Sequence, residues 1–318
     1  MILNLLKPSS SRMAQHSTRS PKDAVTSKMV TSKLRDQLHK DGFVIVPRIL
    51  SPAQLSHLRN AASQATARAR EGGWPHIRTV GKQFPPWPST PGPEGIWGVQ
   101  GLLNPDLPEH QVFTENYFSD GILDIAKELM ECGDDDLVME LFNMLVRPEK
   151  DFELRWHRDD IPATATPGEE MQRLGEPEWH TQWNLALYDD DSLIAVPGSH
   201  ARARTGEERD VGPFEKDMPG QKVVHLDAGD VVFYNNNILH RGVYDSSKER
   251  MSLHGSVGHA GGSQLRARNV LQHGVGKWVD RCDFSSLSGK ERTRAEAMKQ
   301  RLVKLGTESG DVGYSHQD

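Results

Sequence analysis

Eight short apolar segments follow one another between residues 137 and 257, and this series limits the possible folds more than any other feature of the chain. Each segment is bounded by Gly, Pro, Asp or Asn, which end strands and form turns. Such a series is typical of a jelly roll or a barrel. We predict strands at residues 137–146, 154–157, 181–188, 193–196, 223–226, 231–234, 238–243 and 251–257.

The segments outside this series predict helices. Ser32 and Ser51-Pro52 are typical of helix starts, and the helices that follow them are expected to end near Gly42 and Gly72. A further helix is expected near residues 290–305. The protein is therefore expected to be mainly β with flanking helices.

The strands form one continuous series, which favours one domain over two in a chain of 318 residues. We expect this domain to cover residues 31–305, with its β core at about 137–257. A disordered or targeting arm at residues 1–30 precedes it, and a polar tail at residues 306–318 follows it.

The charge of the chain is unevenly distributed. The 38 Lys and Arg and the 44 Asp and Glu give a net charge of −6, although residues 1–40 carry eight basic and two acidic residues. An acidic body argues against nucleic-acid binding, and no apolar stretch is long enough for membrane insertion. Two cysteines, Cys132 and Cys282, exclude a disulfide framework. We expect a cytoplasmic protein, with a mitochondrial one as the alternative because of the basic arm.

Residues 73–110 form a long connection that contains eight prolines and three of the seven tryptophans. Connections of this length inside a domain are usually functional or disordered. The tryptophans favour an ordered flap over a substrate cleft.

A histidine and an aspartate two residues apart on a strand place both side chains on one face. With a distant second histidine they form the two-His, one-carboxylate set that binds Fe(II) and leaves positions open for a co-substrate and dioxygen. His157 and Asp159 end a predicted strand and precede His240 by 83 residues, which leaves room for the intervening strands of a barrel. We therefore predict that His157, Asp159 and His240 bind the metal and form the catalytic centre.

Two other His-x-Asp pairs satisfy these conditions less well. His39 and Asp41 belong to the first predicted helix. His225 and Asp227 lie only 15 residues before His240, which leaves too little room for the intervening strands.

The residues after His240 predict a site for 2-oxoglutarate, which iron oxygenases with this ligand set commonly use. The far carboxylate of that co-substrate needs a buried cation, and arginine suits this role because its planar fork binds carboxylates and stays charged. His240 is the only histidine with a basic residue, Arg250, ten positions later. Ser252 follows on the same face of the predicted strand and can donate to the same carboxylate.

These motifs together resemble the phytanoyl-CoA dioxygenase family of Fe(II)/2-oxoglutarate oxygenases. The resemblance spans residues 41–257 and implies a double-stranded β-helix of the cupin-like type, with iron on the three predicted ligands and 2-oxoglutarate on Arg250. The motifs that carry it are Asp41-Gly-Phe-Val-Ile-Val-Pro47, Trp156-His-Arg-Asp159, Pro197-Gly-Ser-His200, Gly229-Asp-Val-Val-Phe-Tyr234, Leu239-His240 and Arg250-Met-Ser252.

The resemblance implies two further co-substrate contacts. Trp183 matches a family tryptophan near the co-substrate, and Arg147 stands where some members place a lysine that reaches it. A core aromatic residue and a solvated charge at a strand end are the alternative interpretations.

The resemblance also implies a reaction that consumes dioxygen. The intact carboxylate of Asp159 favours hydroxylation of an unactivated C–H bond in a small organic, lipid or natural-product-like substrate, while desaturation, epoxidation and ring formation use the same ligands. The sequence Asp189-Asp-Asp-Ser192 replaces the Asn-Gly usual in the family.

Two alternative functions remain open. One is a cupin-like metalloenzyme that does not use 2-oxoglutarate, and the other is a degenerate barrel that only binds a ligand or partner. We expect a monomer or homodimer.

Overall fold

Eleven strands in two antiparallel sheets form the centre of the part of the chain that the structure describes. The computed structural model describes residues 32–82, 85–88, 90–92, 95–177 and 179–308. The strands are β1 (Phe43–Val46), β2 (Ile77–Arg78), β3 (Gly98–Val99), β4 (Leu137–Val146), β5 (Phe152–Glu153), β6 (His180–Ala186), β7 (Asp190–Ala195), β8 (Lys222–Leu226), β9 (Val231–Tyr234), β10 (His240–Tyr244) and β11 (Met251–His259).

The larger sheet has the order β1-β9-β6-β11-β4-β3-β2, and the smaller sheet has the order β5-β10-β7-β8. Apolar side chains of the two sheets pack against each other, among them Ala186 and Val232 from the larger sheet and Ala195 and Val224 from the smaller one. Two antiparallel sheets that face each other in these strand orders form a jelly roll. The predicted fold class is confirmed.

The other face of the larger sheet packs against helices. Trp183 and Leu185 of β6 lie in the same core cluster as Tyr117, Ala126 and Leu302 from three of these helices. The helices are α1 (Lys33–Asp41), α2 (Pro52–Arg70), α3 (His110–Tyr117), α4 (Asp120–Met130), α5 (Pro167–Leu174), α6 (Gly206–Asp210), α7 (Gln264–Gln272) and α8 (Gly289–Thr307).

The predicted helix starts are confirmed by side-chain caps. The Ser32 hydroxyl accepts from the backbone N–H of Arg35, and Ser51 forms a capping box with Gln54. Gly42 ends α1 with a φ of 80°, and a Cβ there would lie 2.6 Å from Nδ1 of His200. Glycine is therefore required where α1 turns into β1 against the loop that carries His200.

The strand predicted at 154–157 is wrong in its bounds. Strand β5 pairs with β10, Leu154 N–H donates to Gly242 O of β10 over 2.8 Å, and an isolated bridge joins His157 to His240. The backbone leaves the sheet between them because Trp156 donates through its N–H to Pro213 O and through its indole to Glu215 O, each over 2.8 Å. Helices α3 to α7 were not predicted.

The predicted arm at residues 1–30 lies outside the described residues, as does most of the predicted tail. Helix α8 continues to Thr307, slightly past the predicted end of the domain. Within the described residues, every helix is too short or too polar to cross a membrane.

Candidate active site

The three predicted metal ligands meet where β5 and β10 lie side by side. The backbone N–H groups of His157 and His240 each donate to the carbonyl of the other over 3.0 Å. Nε2 of His157 lies 3.5 Å from Oδ1 of Asp159, and Nε2 of His240 lies 3.7 Å from the same oxygen. Ligands that share one ion at about 2.1 Å lie about 3 to 4 Å apart, so the three atoms have the spacing of a metal site.

Backbone carbonyls fix the orientation of both imidazole rings. Nδ1 of His157 lies 2.8 Å from Arg155 O, and Nδ1 of His240 lies 2.8 Å from Ile238 O. A carbonyl only accepts, so each Nδ1 carries a proton, and Nε2 of each ring is the nitrogen left to bind a metal beside Asp159.

The carboxylate of Asp159 is held from the other sheet. Gln182 on β6 donates from Nε2 to Oδ2 of Asp159 over 3.0 Å, while Oδ1 faces the two histidines. The backbone N–H of Asp159 donates to Asn236 O over 2.9 Å. One oxygen is thereby committed to the protein and the other to the metal position. Gln182 was not singled out in the sequence, because only the tertiary fold brings β6 to the ligand.

The pKa shifts of the three side chains show a site that favours positive charge next to an ionised carboxylate. Burial lowers the pKa of His240 to about 4, with a further contribution from His157. Burial opposes the ionised form of Asp159, but the interactions with His157 and His240 hold its pKa well below the usual range. Burial also disfavours the charged form of His157, and the hydrogen bond and charge of Asp159 outweigh this and raise its pKa.

A donor set of two imidazoles and one carboxylate fits Fe(II) in a facial arrangement. The side chain of Asp159 is 34% exposed and that of His157 28% exposed. The ligand group is therefore accessible from one side, and that side is where a co-substrate and dioxygen would bind.

The predicted binding residues for 2-oxoglutarate meet on one buried carboxylate. Arg250 donates from Nε to Oδ2 of Asp190 over 2.9 Å, and the Ser252 hydroxyl donates to the same oxygen. The guanidinium carbon of Arg250 lies 4.5 Å from the centre of the Tyr244 ring. Nη1 of Arg250 is buried without a hydrogen-bond partner. An unpaired buried donor on a charged group fits a carboxylate ligand.

Arg250 and the metal ligands border the same interior. His240 and Tyr244 lie four residues apart on β10 and share a face, and the Arg250 guanidinium packs on Tyr244. Between them, a Cβ at Gly242 would lie 2.7 Å from the Tyr244 ring. The space between the metal ligands and Arg250 is therefore kept free of a side chain from β10.

The structure does not bring Trp183 or Arg147 to this interior. Trp183 is fully buried and points to the helical side of the larger sheet, because it alternates with Gln182 along β6. Arg147 donates to Ser246 O over 3.0 Å, lies 3.6 Å from Glu249, and is one-third exposed. Their positions are those of the alternative interpretations, a core aromatic residue and a charge at a strand end.

A second group of potential ligands lies at the other end of β4 and β11. Atoms of Cys132, Asp136 and His259 lie within 4.8 Å of one another. However, Gly261 donates its N–H to Nδ1 of His259 over 2.8 Å, and burial raises the pKa of the Cys132 thiol to about 11. Neither side chain is in the state that a metal requires, so we assign no site here.

The jelly roll, the two-His, one-carboxylate group and the buried arginine together define a non-haem iron oxygenase that uses 2-oxoglutarate. The chain belongs to the phytanoyl-CoA dioxygenase family, whose model matches residues 38–252. Like the members of this family, it is an iron- and 2-oxoglutarate-dependent enzyme. No curated protein matches the sequence.

Solved structures support the same fold. AviO1 from Streptomyces viridochromogenes is 18% identical with a TM-score of 0.52, over 73% of this chain and 96% of that one. EctD from S. alaskensis with bound Fe is 17% identical with a TM-score of 0.51, over 78% and 82%. EctD with 2-oxoglutarate and 5-hydroxyectoine is 17% identical with a TM-score of 0.50, over 76% and 79%.

Proposed function

We propose that the protein hydroxylates an unactivated C–H bond of a small organic molecule, with Fe(II) on His157, Asp159 and His240 and the far carboxylate of 2-oxoglutarate on Arg250. The observation that carries the proposal is the convergence of the three ligand side chains within 4.8 Å. Iron and the co-substrate supply the oxidising chemistry, and the protein supplies position and electrostatics.

Each residue of the chain has a limited task in this scheme. The two histidines present lone pairs that Arg155 O and Ile238 O keep in place. Gln182 holds one oxygen of Asp159, so that the other is directed at the metal. Arg250 offers Nη1 to the co-substrate, while Ser252 acts through Asp190.

A narrow pocket beneath the flap supports an uncharged substrate. The flap residues Trp87 and Gln100 and the C-terminal residues His273 and Trp278 line it, over Asn143 of β4. Among the residues that the structure describes, none of those lining the pocket is Lys, Arg, Asp or Glu. Burial also lowers the pKa of His273 to about 4, which leaves that side chain neutral. This lining suits an uncharged part of a substrate, in agreement with a neutral, lipid or natural-product-like molecule.

A row of polar side chains on the inner face of the larger sheet lies between Asn143 of the pocket and the metal ligands. Asn143 lies opposite His254 on β11, and His254 contacts Oδ1 of Asn184 on β6 through Nδ1 over 2.8 Å. Gln182, which contacts Asp159, is two residues from Asn184 on the same face. We infer that the substrate reaches the ligand group along this row of side chains, across β11 and β6.

An anaerobic titration tests the proposed function. Fe(II) and then 2-oxoglutarate are added to the metal-free protein, and the visible metal-to-ligand charge-transfer band is recorded. We expect a band in the wild type, none in His157→Ala and a weakened one in Arg250→Ala. His225→Ala removes an exposed histidine on β8 and should behave like the wild type.

The possible results separate the alternatives. Iron binding without a band would favour a cupin-like enzyme that does not use 2-oxoglutarate. Failure to bind iron would contradict the assignment of the ligands. Once a band is seen, succinate release with panels of neutral and charged compounds tests the substrate class.

We further propose that the protein acts in the cytoplasm as a monomer or homodimer. Light scattering on the purified chain measures its oligomeric state, and cell fractionation measures its compartment. A stable higher oligomer or recovery in mitochondria would contradict this part of the proposal.

A further inference from the structure

The two residues expected to bind the far carboxylate of 2-oxoglutarate both donate to a carboxylate of the protein itself. Arg250 and Ser252 share Oδ2 of Asp190. Asp190 is only 6% exposed, and so is Arg250. The charge of Arg250 is therefore already balanced before any ligand binds.

We propose that Asp190 restrains the binding of 2-oxoglutarate, by holding Arg250 at one edge and opposing the negative charge of the far carboxylate of the co-substrate. This inference rests on the proposed role of Arg250. It assigns to Asp190 a positioning role that also sets the affinity for the co-substrate.

The position of Asp190 is fixed by its own hydrogen bonds. Its Oδ1 accepts from the backbone N–H of Ser192 over 2.8 Å, and its Oδ2 accepts from Arg250 and Ser252. With both oxygens engaged in a buried position, the carboxylate cannot turn away when a ligand arrives. The ligand must share Arg250 with Asp190 and does not replace it.

The Arg250 guanidinium can bind two carboxylates at once, because Asp190 occupies only part of it. Asp190 uses the Nε edge, the Tyr244 ring covers one face, and Nη1 remains buried and unpaired. A carboxylate bound at Nη1 would therefore lie on the same small cation as the carboxylate of Asp190. Two negative charges separated by one guanidinium repel each other, and the interior screens this repulsion poorly.

The chain offers a closely matched control for the charge of Asp190. Asp191 is the next residue on β7, and it points to the opposite, solvent-exposed side. Its Oδ1 contacts Nδ1 of His225 over 2.7 Å, and its side chain is 47% exposed. Asp191→Asn removes the same charge from the same strand without touching Arg250.

The test compares two ligands on the Fe(II)-loaded protein without oxygen. The ligands are 2-oxoglutarate and 2-oxopentanoate, which has the same carbon chain but lacks the far carboxylate. Their Kd values are measured from the charge-transfer band for the wild type, Asp190→Asn and Asp191→Asn. The comparison isolates the coupling between the far carboxylate and the charge of Asp190.

We expect Asp190→Asn to bind 2-oxoglutarate about tenfold more tightly and to leave the Kd of 2-oxopentanoate within about twofold. Asp191→Asn should change neither value. Weaker or unchanged binding of 2-oxoglutarate by Asp190→Asn, or an equal change for both ligands, would overturn the proposal.

If Asp190→Asn does not fold, the wild type alone still tests the proposal, through the ratio of its Kd values for 2-oxopentanoate and 2-oxoglutarate. The far carboxylate should improve affinity by less than about thirtyfold, because Asp190 already balances Arg250. A larger ratio would contradict the restraint. If iron binds but neither oxo acid produces a band, the proposed function itself fails, which is a distinct result.

Discussion

Gln182 and Asp159 connect the two sheets of the jelly roll through one hydrogen bond of 3.0 Å. The amide belongs to β6 in the larger sheet, and the carboxylate follows β5 in the smaller sheet. Because partners of metal ligands fix ligand orientation, this contact couples the packing of the sheets to the geometry of the metal site.

Replacement of Gln182 by alanine should weaken Fe(II) binding about 10- to 100-fold, because Asp159 loses the donor that holds its second oxygen. Gln111→Ala, on the exposed side of α3, is the control. Both are compared by Fe(II) titration, with circular dichroism to verify folding. Equal affinities for the two variants would show that the hydrogen bond does not position Asp159.

The buried pair of Glu140 and Arg266 should support the fold strongly. Arg266 on α7 donates from Nε and Nη2 to the two oxygens of Glu140, each over 2.6 Å, and Glu140 is 3% exposed. Arg266→Leu leaves a buried carboxylate unpaired, and we expect a loss of about 3 to 5 kcal/mol in the free energy of unfolding. Arg281→Leu breaks an exposed pair with Asp106 and should cost at most about 1 kcal/mol.

The same pair predicts a pH dependence of stability. Burial raises the pKa of Glu140, but the charge and hydrogen bonds of Arg266 outweigh it and hold the pKa below the ordinary value. The stabilisation is therefore present above the ordinary glutamate pKa and is lost as the pH falls through the lowered one. Thermal unfolding between about pH 3 and 7 should show Arg266→Leu losing less stability on acidification than the wild type. A parallel decline of the two proteins would contradict this interpretation.

Trp183 should affect the stability of the fold and not the binding of 2-oxoglutarate. Its ring packs against Tyr117, Phe142 and Phe233. We expect Trp183→Ala to cost about 3 to 5 kcal/mol in the free energy of unfolding. The milder Trp183→Phe should leave the Kd of 2-oxoglutarate within about twofold of the wild type. A large loss of affinity in a well-folded Trp183→Phe would instead favour the contact implied by the family resemblance.

Gly42 and Gly72 share one backbone conformation, so replacing each by alanine distinguishes the cost of backbone strain from the cost of a steric clash of the new Cβ. Gly42 and Gly72 have φ values of 80° and 79°, but only at Gly42 would a Cβ meet other atoms, His200 at 2.6 Å and Ile238 at 2.9 Å. Gly72→Ala should cost about 1 kcal/mol through backbone strain alone. Gly42→Ala should lower the free energy of unfolding, measured by chemical denaturation, clearly more than Gly72→Ala does. Equal losses would mean that the neighbours of Gly42 move aside freely.

The sequence alone predicts the fold class and the metal ligands because both depend on local patterns. Short apolar segments between turn residues define the series of strands, and two side chains separated by one residue share a face. The spacing from His157 to His240 then selects one His-x-Asp pair among three. The same kind of pattern predicts Arg250, because no other histidine of the chain has a basic residue ten positions later.

Only the tertiary structure decides what surrounds these residues. Gln182 reaches Asp159 from another sheet, and Asp190 reaches Arg250 from 60 positions earlier in the chain. The alternation along β6 puts Trp183 on the face opposite Gln182, but which of the two faces packs against the helices is decided only when the sheets and helices assemble. Hydrogen bonds and packing between distant segments depend on how sheets and helices assemble, so they are absent from any local pattern in the sequence.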